Sequence, residues 1–378
     1  MEYLFYLTAL LCAYSYFLYP LLLKITPCRE LETAAEGQEI ELPRISLVIT
    51  AHNEAGHILE KLENTLEIDY PADLLEVIVA SDCSTDATDD IVQSYSGKGV
   101  RLVRANERKG KEYAQLCAIR VAAGTILVFS DVGTRIPAGA LRVLAREFAG
   151  SRVGAVSSED RFISSDGRVV GEGAYVRYEM WLRRLESCRA GVVGLSGSFF
   201  AARREICEAW DIYSPSDFNT ALNCAKHGLV AVSCPDVVGI YRDVAAPGLE
   251  YQRKMRTVIR GISALARHPE VLNPFVMGGF AFQVWSHKIM RWAVPWFMLA
   301  FAVLTVLLLD QGLIYWLALA AQGLFYLLAL AGWLSGRMRQ FTLVRLVYFF
   351  VQTNLALAQA TLAFIMGRRM TVWTPSSR

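Results

Sequence analysis

The sequence predicts an α/β domain with a doubly wound sheet, attached to long apolar helices. Three observations predict it. Short, β-branched apolar runs at 45–50, 75–80 and 126–129 alternate with helical segments, the pattern of buried parallel strands joined by crossover helices. Each run ends in a polar, acidic cluster, and open sheets of this kind bind ligands beyond the carboxyl ends of their strands. Charge-free stretches at 3–23, 292–309, 311–334 and 346–367 flank this region, and about 20 apolar residues in a helix cross a bilayer core.

The first apolar stretch follows Glu2 rather than a basic segment, and no small-residue cleavage site follows it. It reads as a retained transmembrane helix at 1–24, not as a leader peptide. Lys24, Arg29 and Arg44 follow it, Lys288 and Arg291 precede the second stretch, and Arg337 and Arg339 follow the third. By the positive-inside rule the central domain, 43–245, faces the cytosol of an integral membrane protein, placed in a bacterial inner membrane. Residues 246–288 are expected to form interfacial amphipathic helices, and 289–335 a transmembrane hairpin. The fourth stretch holds Gln352, Asn354 and Gln359 and ends at Arg368 and Arg369. Polar groups in hydrocarbon are costly, so it is expected as a bent or in-plane helical hairpin, with a true fourth span as the alternative. The C-terminal part, 336–378, then ends in the cytosol.

The eight cysteines contain no C-x-x-C pair, and the net charge is +2. Free thiols follow from the first; the second argues against nucleic acid as a partner.

Within the central domain, 100–103 is a fourth short strand candidate. Helices are expected over 58–68, over 85–95 with Ser84 as N-cap, and over 111–123. The strands lead into Ala51-His52-Asn53-Glu54, Ser81-Asp82 and Ser130-Asp131. Carboxylates there can bind ribose hydroxyls, a base N–H, or a metal that neutralises phosphates. Asp86 instead reads as a cap of the following helix. Neither G-x-G-x-x-G nor G-x-x-x-x-G-K-[ST] occurs, which argues against dinucleotide, kinase and ATPase readings. The aromatic stripe at 175, 178 and 181 reads as helix core, and 286–292 as an interfacial anchor.

The ordered set Pro43–Glu54, Ser81–Asp86, Gly110-Lys111 and Phe129-Ser130-Asp131 resembles the inverting family 2 glycosyltransferases of GT-A fold, whose membrane-bound branch includes the hyaluronan and cellulose synthases. The resemblance covers about residues 43–300. It implies a mixed, doubly wound α/β GT-A domain with flanking transmembrane and interfacial helices. It places Ala51, Asn53, Glu54 and Asp82 around the nucleotide of a nucleotide-sugar donor, with Lys111 beside it, and makes Asp131 the metal ligand for Mg2+ or Mn2+. The family's second metal carboxylate is replaced by Gly133. Ser196-Gly197-Ser198 resembles the acceptor-side loop, and Asp217 matches the catalytic base. Gln252–Thr257 is a stretched Q-x-x-R-W element without the Trp, whose Arg253 and Arg256 suit a diphosphate; a basic face on lipid headgroups is the alternative. The expected activity is non-processive sugar transfer, from a UDP-sugar by family default, to a lipid or lipid-linked acceptor at the membrane. The alternatives are a processive polysaccharide synthase and an impaired nucleotide-binding scaffold.

Overall fold

A computed structural model describes residues 1–28, 40–163, 174–242 and 247–370. The chain divides into two compact units: an α/β unit of Thr26–Ala245 with Ala264–Ala281, and a helical unit of Met1–Ile25, Ala246–Ser263 and Phe282–Arg369.

In the α/β unit, the described strands are β1 (Ile45–Ala51), β2 (Leu75–Ser81), β3 (Val100–Arg104), β4 (Ile126–Asp131), β5 (Val153–Ile163), β6 (Phe199–Arg203) and β7 (Val230–Arg242). Their order is β3-β2-β1-β4-β6-β5-β7. The first four are parallel, β6 runs antiparallel to both neighbours, and β5 and β7 are parallel. The predicted sheet is therefore mixed. The chain runs outward from β1 to β2 and β3, then returns to β1's other side as β4, so a topological switch point lies beside β1.

Alternate residues of each strand enter opposite cores, as the period of two requires. Ile45, Leu47 and Ile49 face a cluster with Ile58, Leu62, Leu141 and Leu144. Val48, Leu127 and Phe129 face Ala114, Ala118 and Ala221 on the other side. There Phe129 stacks on both Phe200 and Trp210, with ring centres 4.9 Å apart in each pair. Small helix residues on this face admit the stacked rings. Gly124 is forced by packing: a Cβ there would lie 2.5 Å from the Ser46 backbone nitrogen.

Local boundaries differ from expectation in one instructive place. The helix after β2 begins at Thr88, and Ser84 does not cap it. Asp86 does: its carboxylate accepts from the Thr88 N–H at 3.0 Å and, across to the β1 loop, from the Ala55 N–H at 3.0 Å. Burial pushes this carboxyl up, but those hydrogen bonds and one from the Thr88 hydroxyl outweigh it and hold it below the usual range. The longer acidic side chain reaches two loops where serine would serve one.

The helical unit contains the long apolar helices. Four helices among the described residues are long and apolar enough to cross a membrane: Glu2–Ile25, Gly279–Leu307, Leu313–Leu334 and Thr342–Ile365. The last corrects the hairpin expected over 346–367, because it is one uninterrupted helix. Two of its polar residues make hydrogen bonds within the protein. Asn354 is buried and donates to its own helix at Phe350 O, and Gln359 accepts from the Tyr251 hydroxyl at 2.7 Å. Close approach to Leu313–Leu334 is set by Gly332, where a Cβ would meet the Tyr348 Cβ at 2.9 Å.

Candidate active site

The ends of β1, β2 and β4 are in register: Ala51 pairs with Ser81, and Thr50 with Asp131. Neighbouring strands lie about 4.8 Å apart, so Asp82 and Asp131 stand on either side of the end of β1. Ala51 supplies backbone only; its methyl is in the core, and its carbonyl accepts the Asp82 N–H at 2.9 Å.

Asp82 is fully buried. Its Oδ1 accepts from the Lys109 and Gly110 N–H groups at 3.2 and 3.1 Å, and its Oδ2 has no hydrogen-bond partner among the described residues. A buried carboxylate oxygen without a donor is costly, and a ribose hydroxyl or base N–H would satisfy it. Gly110 has φ +101°, the left-handed region that a side chain resists, and caps the helix Lys111–Val121.

That helix delivers Lys111. Its Nζ lies 2.5 Å from Asp131 Oδ1 and donates to Gly197 O at 2.7 Å. Gly197 in turn lies against the proposed base: a Cβ on it would come within 3.2 Å of Asp217 Oδ2. Asp217 sits in the first turn of the helix Ser216–Lys226. Hydrogen bonds and the chain itself therefore link Asp82 through Gly110 and Lys111 to Asp131 and Gly197, and Asp217 stands beside Gly197. The residues come from five separate segments of the chain.

The remaining expected residues take other places. Asn53, with φ +54°, braces two loops, its Oδ1 accepting from the Thr85 N–H at 2.8 Å. Glu54 is half-buried, and its N–H donates to the Thr88 hydroxyl at 2.8 Å. Ser196 gives its hydroxyl to Asp160 at 2.6 Å, and Ser198 bonds to the Tyr241 hydroxyl while its carbonyl accepts the Asp131 N–H at 3.0 Å. Both hydroxyls thus hold the 196–198 loop in shape. Arg253 and Arg256 belong to the helical unit, on the helix Pro247–Arg267.

Three residues beneath the site were not singled out from the sequence. Asp160 is half-buried and hydrogen-bonded to Ser196 and Tyr241; desolvation pushes its carboxyl up, against the pull of hydrogen bonds and of Arg183. Lys61 is buried in the Ile58–Leu66 helix and donates to Ser130 Oγ at 2.7 Å and Thr134 O at 2.6 Å. Burial pushes it down to about 7, although Asp131 pulls the other way. One turn on, Asn64 pairs with the Ile136 backbone through both amide atoms, at 2.9 and 2.8 Å. Together Lys61 and Asn64 hold the loop that carries Asp131. The i, i+3 spacing of two polar residues among Ile58, Leu62 and Leu66 was the signal available.

No cluster of three His, Cys, Asp or Glu side chains suited to a metal occurs among the described residues. Asp131 is a single carboxylate with one oxygen already on Lys111. This donor set fits a cation shared with a donor's diphosphate, not one caged by protein alone.

The family described as Glycosyl transferase family 2 matches residues 46–210, which hold all of β2 to β6, β1 but for its first residue, and the Asp82–Lys111–Asp131–Gly197 contacts. This chain carries a family 2 glycosyl transferase domain. The transferase domain is similar to a probable glycosyltransferase, YdaM, of Bacillus subtilis: 36% identical over 96 residues, 24% of this chain and 23% of that one. It is also similar to a beta-monoglucosyldiacylglycerol synthase of Nostoc sp., 24% identical over 179 residues, 45% of this chain and 38% of the relative. The chain thus spans less than two-fifths of either relative's length. Among solved structures, the mannosyltransferase PcManGT from Pyrobaculum calidifontis, in complex with GDP-Man and Mn2+, superposes with a TM-score of 0.74. It covers 97% of this chain and 99% of its own at 24% identity, which establishes the shared GT-A fold.

Proposed function

We propose that this protein is an inverting, non-processive glycosyltransferase. It moves a sugar from a nucleotide-sugar, UDP-linked in the simplest case, to a lipid or lipid-linked acceptor at the cytosolic face of a membrane. The hydrogen bonds that tie Asp82, Gly110, Lys111, Asp131 and Gly197 together, with Asp217 beside Gly197, carry this reading. On this reading a nucleotide-side carboxylate, a cation and a candidate base lie together at the switch point. The four long apolar helices and the glycolipid named by the Nostoc relative support a membrane acceptor.

Asp82 offers an unpartnered oxygen to the nucleoside. Lys111 holds Asp131 and the Gly197 carbonyl in place and brings positive charge beside the donor's diphosphate. Asp217 accepts the proton of the acceptor hydroxyl as its oxygen attacks the anomeric carbon, and the bond to the diphosphate breaks on the opposite side. The Gly197 backbone leaves room for that carboxylate. Mg2+ or Mn2+, held by Asp131 and the diphosphate, would neutralise the leaving group's growing charge. Arg253 and Arg256 are proposed to contact the same diphosphate.

Nucleotide release from a panel of donors, with native lipid extract, tests the reading. Asp217→Asn should lower transfer by at least about 100-fold, the usual contribution of a general base, with nucleotide affinity retained. Equal turnover in the variant would remove Asp217 from the mechanism, and a ladder of long products would favour a processive synthase.

A further inference from the structure

The helical unit holds an apolar groove of about 520 Å3, within the roughly 300–1,000 Å3 of small-molecule sites. One wall is the C-terminal half of Leu313–Leu334, with Tyr326, Leu330 and Trp333. The other is the middle of Thr342–Ile365, with Tyr348 and Leu355, and Tyr251 of the amphipathic helix also lines it. From Trp333 back to Tyr326 the groove follows the helix for roughly 10 Å at 1.5 Å per residue. Both walls are helices suited to a membrane, and Trp333 lies next to the turn that carries Arg337 and Arg339. The groove therefore begins at the membrane surface and runs inward.

Two cations stand beside it. The Arg339 guanidinium lies 5.4 Å from the ring centre of Tyr348, a wall residue. Its Nε is buried without a hydrogen-bond partner among the described residues. Lys254 donates to Thr353 Oγ1 at 3.0 Å, in the turn between Tyr348 and Leu355. An aromatic, apolar bore with a cation at its outer end complements a long hydrocarbon with an anionic head.

We infer that this groove seats the hydrocarbon chain of the acceptor, and that the acceptor is a lipid bearing a phosphate. Arg339 faces the headgroup. The inference rests on the lipid-acceptor reading above and narrows it to phosphate-bearing lipids.

The full-length protein, reconstituted in phosphatidylcholine vesicles, would be photolabelled with a chain-diazirine phosphatidic acid or the matching phosphatidylcholine, with no donor present. Phosphatidic acid should label 326–333 and 348–355 about fivefold more strongly, the preference one surface cation confers. Leu330→Trp, at an exposed wall position, should fill the groove, cut labelling about tenfold, and raise the KM for a phosphate-bearing lipid acceptor by a similar factor. Leu355→Trp, from the opposite wall, should do the same; Leu317→Trp, exposed elsewhere on the first helix, should not. Arg339→Gln should erase the headgroup preference. Equal labelling by the two lipids, or labelling indifferent to both wall variants, overturns the inference. Reduced labelling with an unchanged lipid KM overturns the acceptor assignment. Absence of any lipid-dependent transfer in the parent protein refutes the lipid-acceptor reading itself; the donor-free labelling reports on the groove separately.

Discussion

Gly197 offers a direct test of how closely Asp217 is positioned. A Cβ at this glycine would stand 3.2 Å from Asp217 Oδ2 and 3.7 Å from its Cγ, where ordinary contact begins near 3.4 Å. Gly197 is not among the glycines with positive φ, so alanine adds no backbone strain and its effect is confined to this contact. The Asp217 backbone is held within its helix and by the Leu195 N–H. The carboxylate must therefore rotate away, by about 0.2–0.5 Å. A misplacement of 1 Å in a reacting group costs about 100-fold, so on the same scale Gly197→Ala should lower kcat roughly three- to tenfold. Steady-state transfer at saturating donor and acceptor measures kcat, and nucleotide titration checks that donor affinity is retained. The double variant with Asp217→Asn should be no slower than Asp217→Asn alone, because the methyl acts only through the carboxylate. An unchanged kcat, or a double variant showing both losses in full, would refute the reasoning.

Three further outcomes are expected. Gly124→Ala drives a methyl into the Ser46 backbone, which has no room to yield; it should cost about 3 kcal/mol or more, seen as a lowered Tm, and a Tm equal to the parent's would contradict the packing. Asp86→Ala removes the cap shared by Thr88 and Ala55 and should cost about 1 kcal/mol in thermal unfolding; because the stabilising carboxylate has a depressed pKa, that cost should be present at neutral pH and vanish as acid protonates the group. Lys61 is held near 7 by burial against 10.5 for a free lysine. Between those values the unfolded chain binds a proton that the folded chain does not, so stability should rise with pH across the window, by at most about 5 kcal/mol; Lys61→Met should flatten this rise, and an unaltered pH profile of Tm would rule out Lys61 as its source.

Much of this protein was legible in order along the chain. Runs such as 45–50 and 126–129 announced parallel strands because burial on both faces demands continuous apolar sequence. The acidic ends of those runs marked Asp82 and Asp131, and the charge-free stretches marked the apolar helices. These signals are local, written within one element by its own periodicity. What the tertiary structure alone decided lies across elements. The Asp131 loop rests on Lys61, 69 residues from its partner Ser130; Lys111 bridges Asp131 and Gly197, the latter 86 residues away; and Ser196 meets Asp160 across 36. The antiparallel insertion of β6 between β4 and β5 brings the 196–198 loop to Asp131. The unbroken helix Thr342–Ile365 likewise depends on neighbours, since Tyr251 takes up the Gln359 amide. A chain's periodicity records which face of each element is buried, but not which distant polar atom lies there, because that pairing is set by strand order and helix packing.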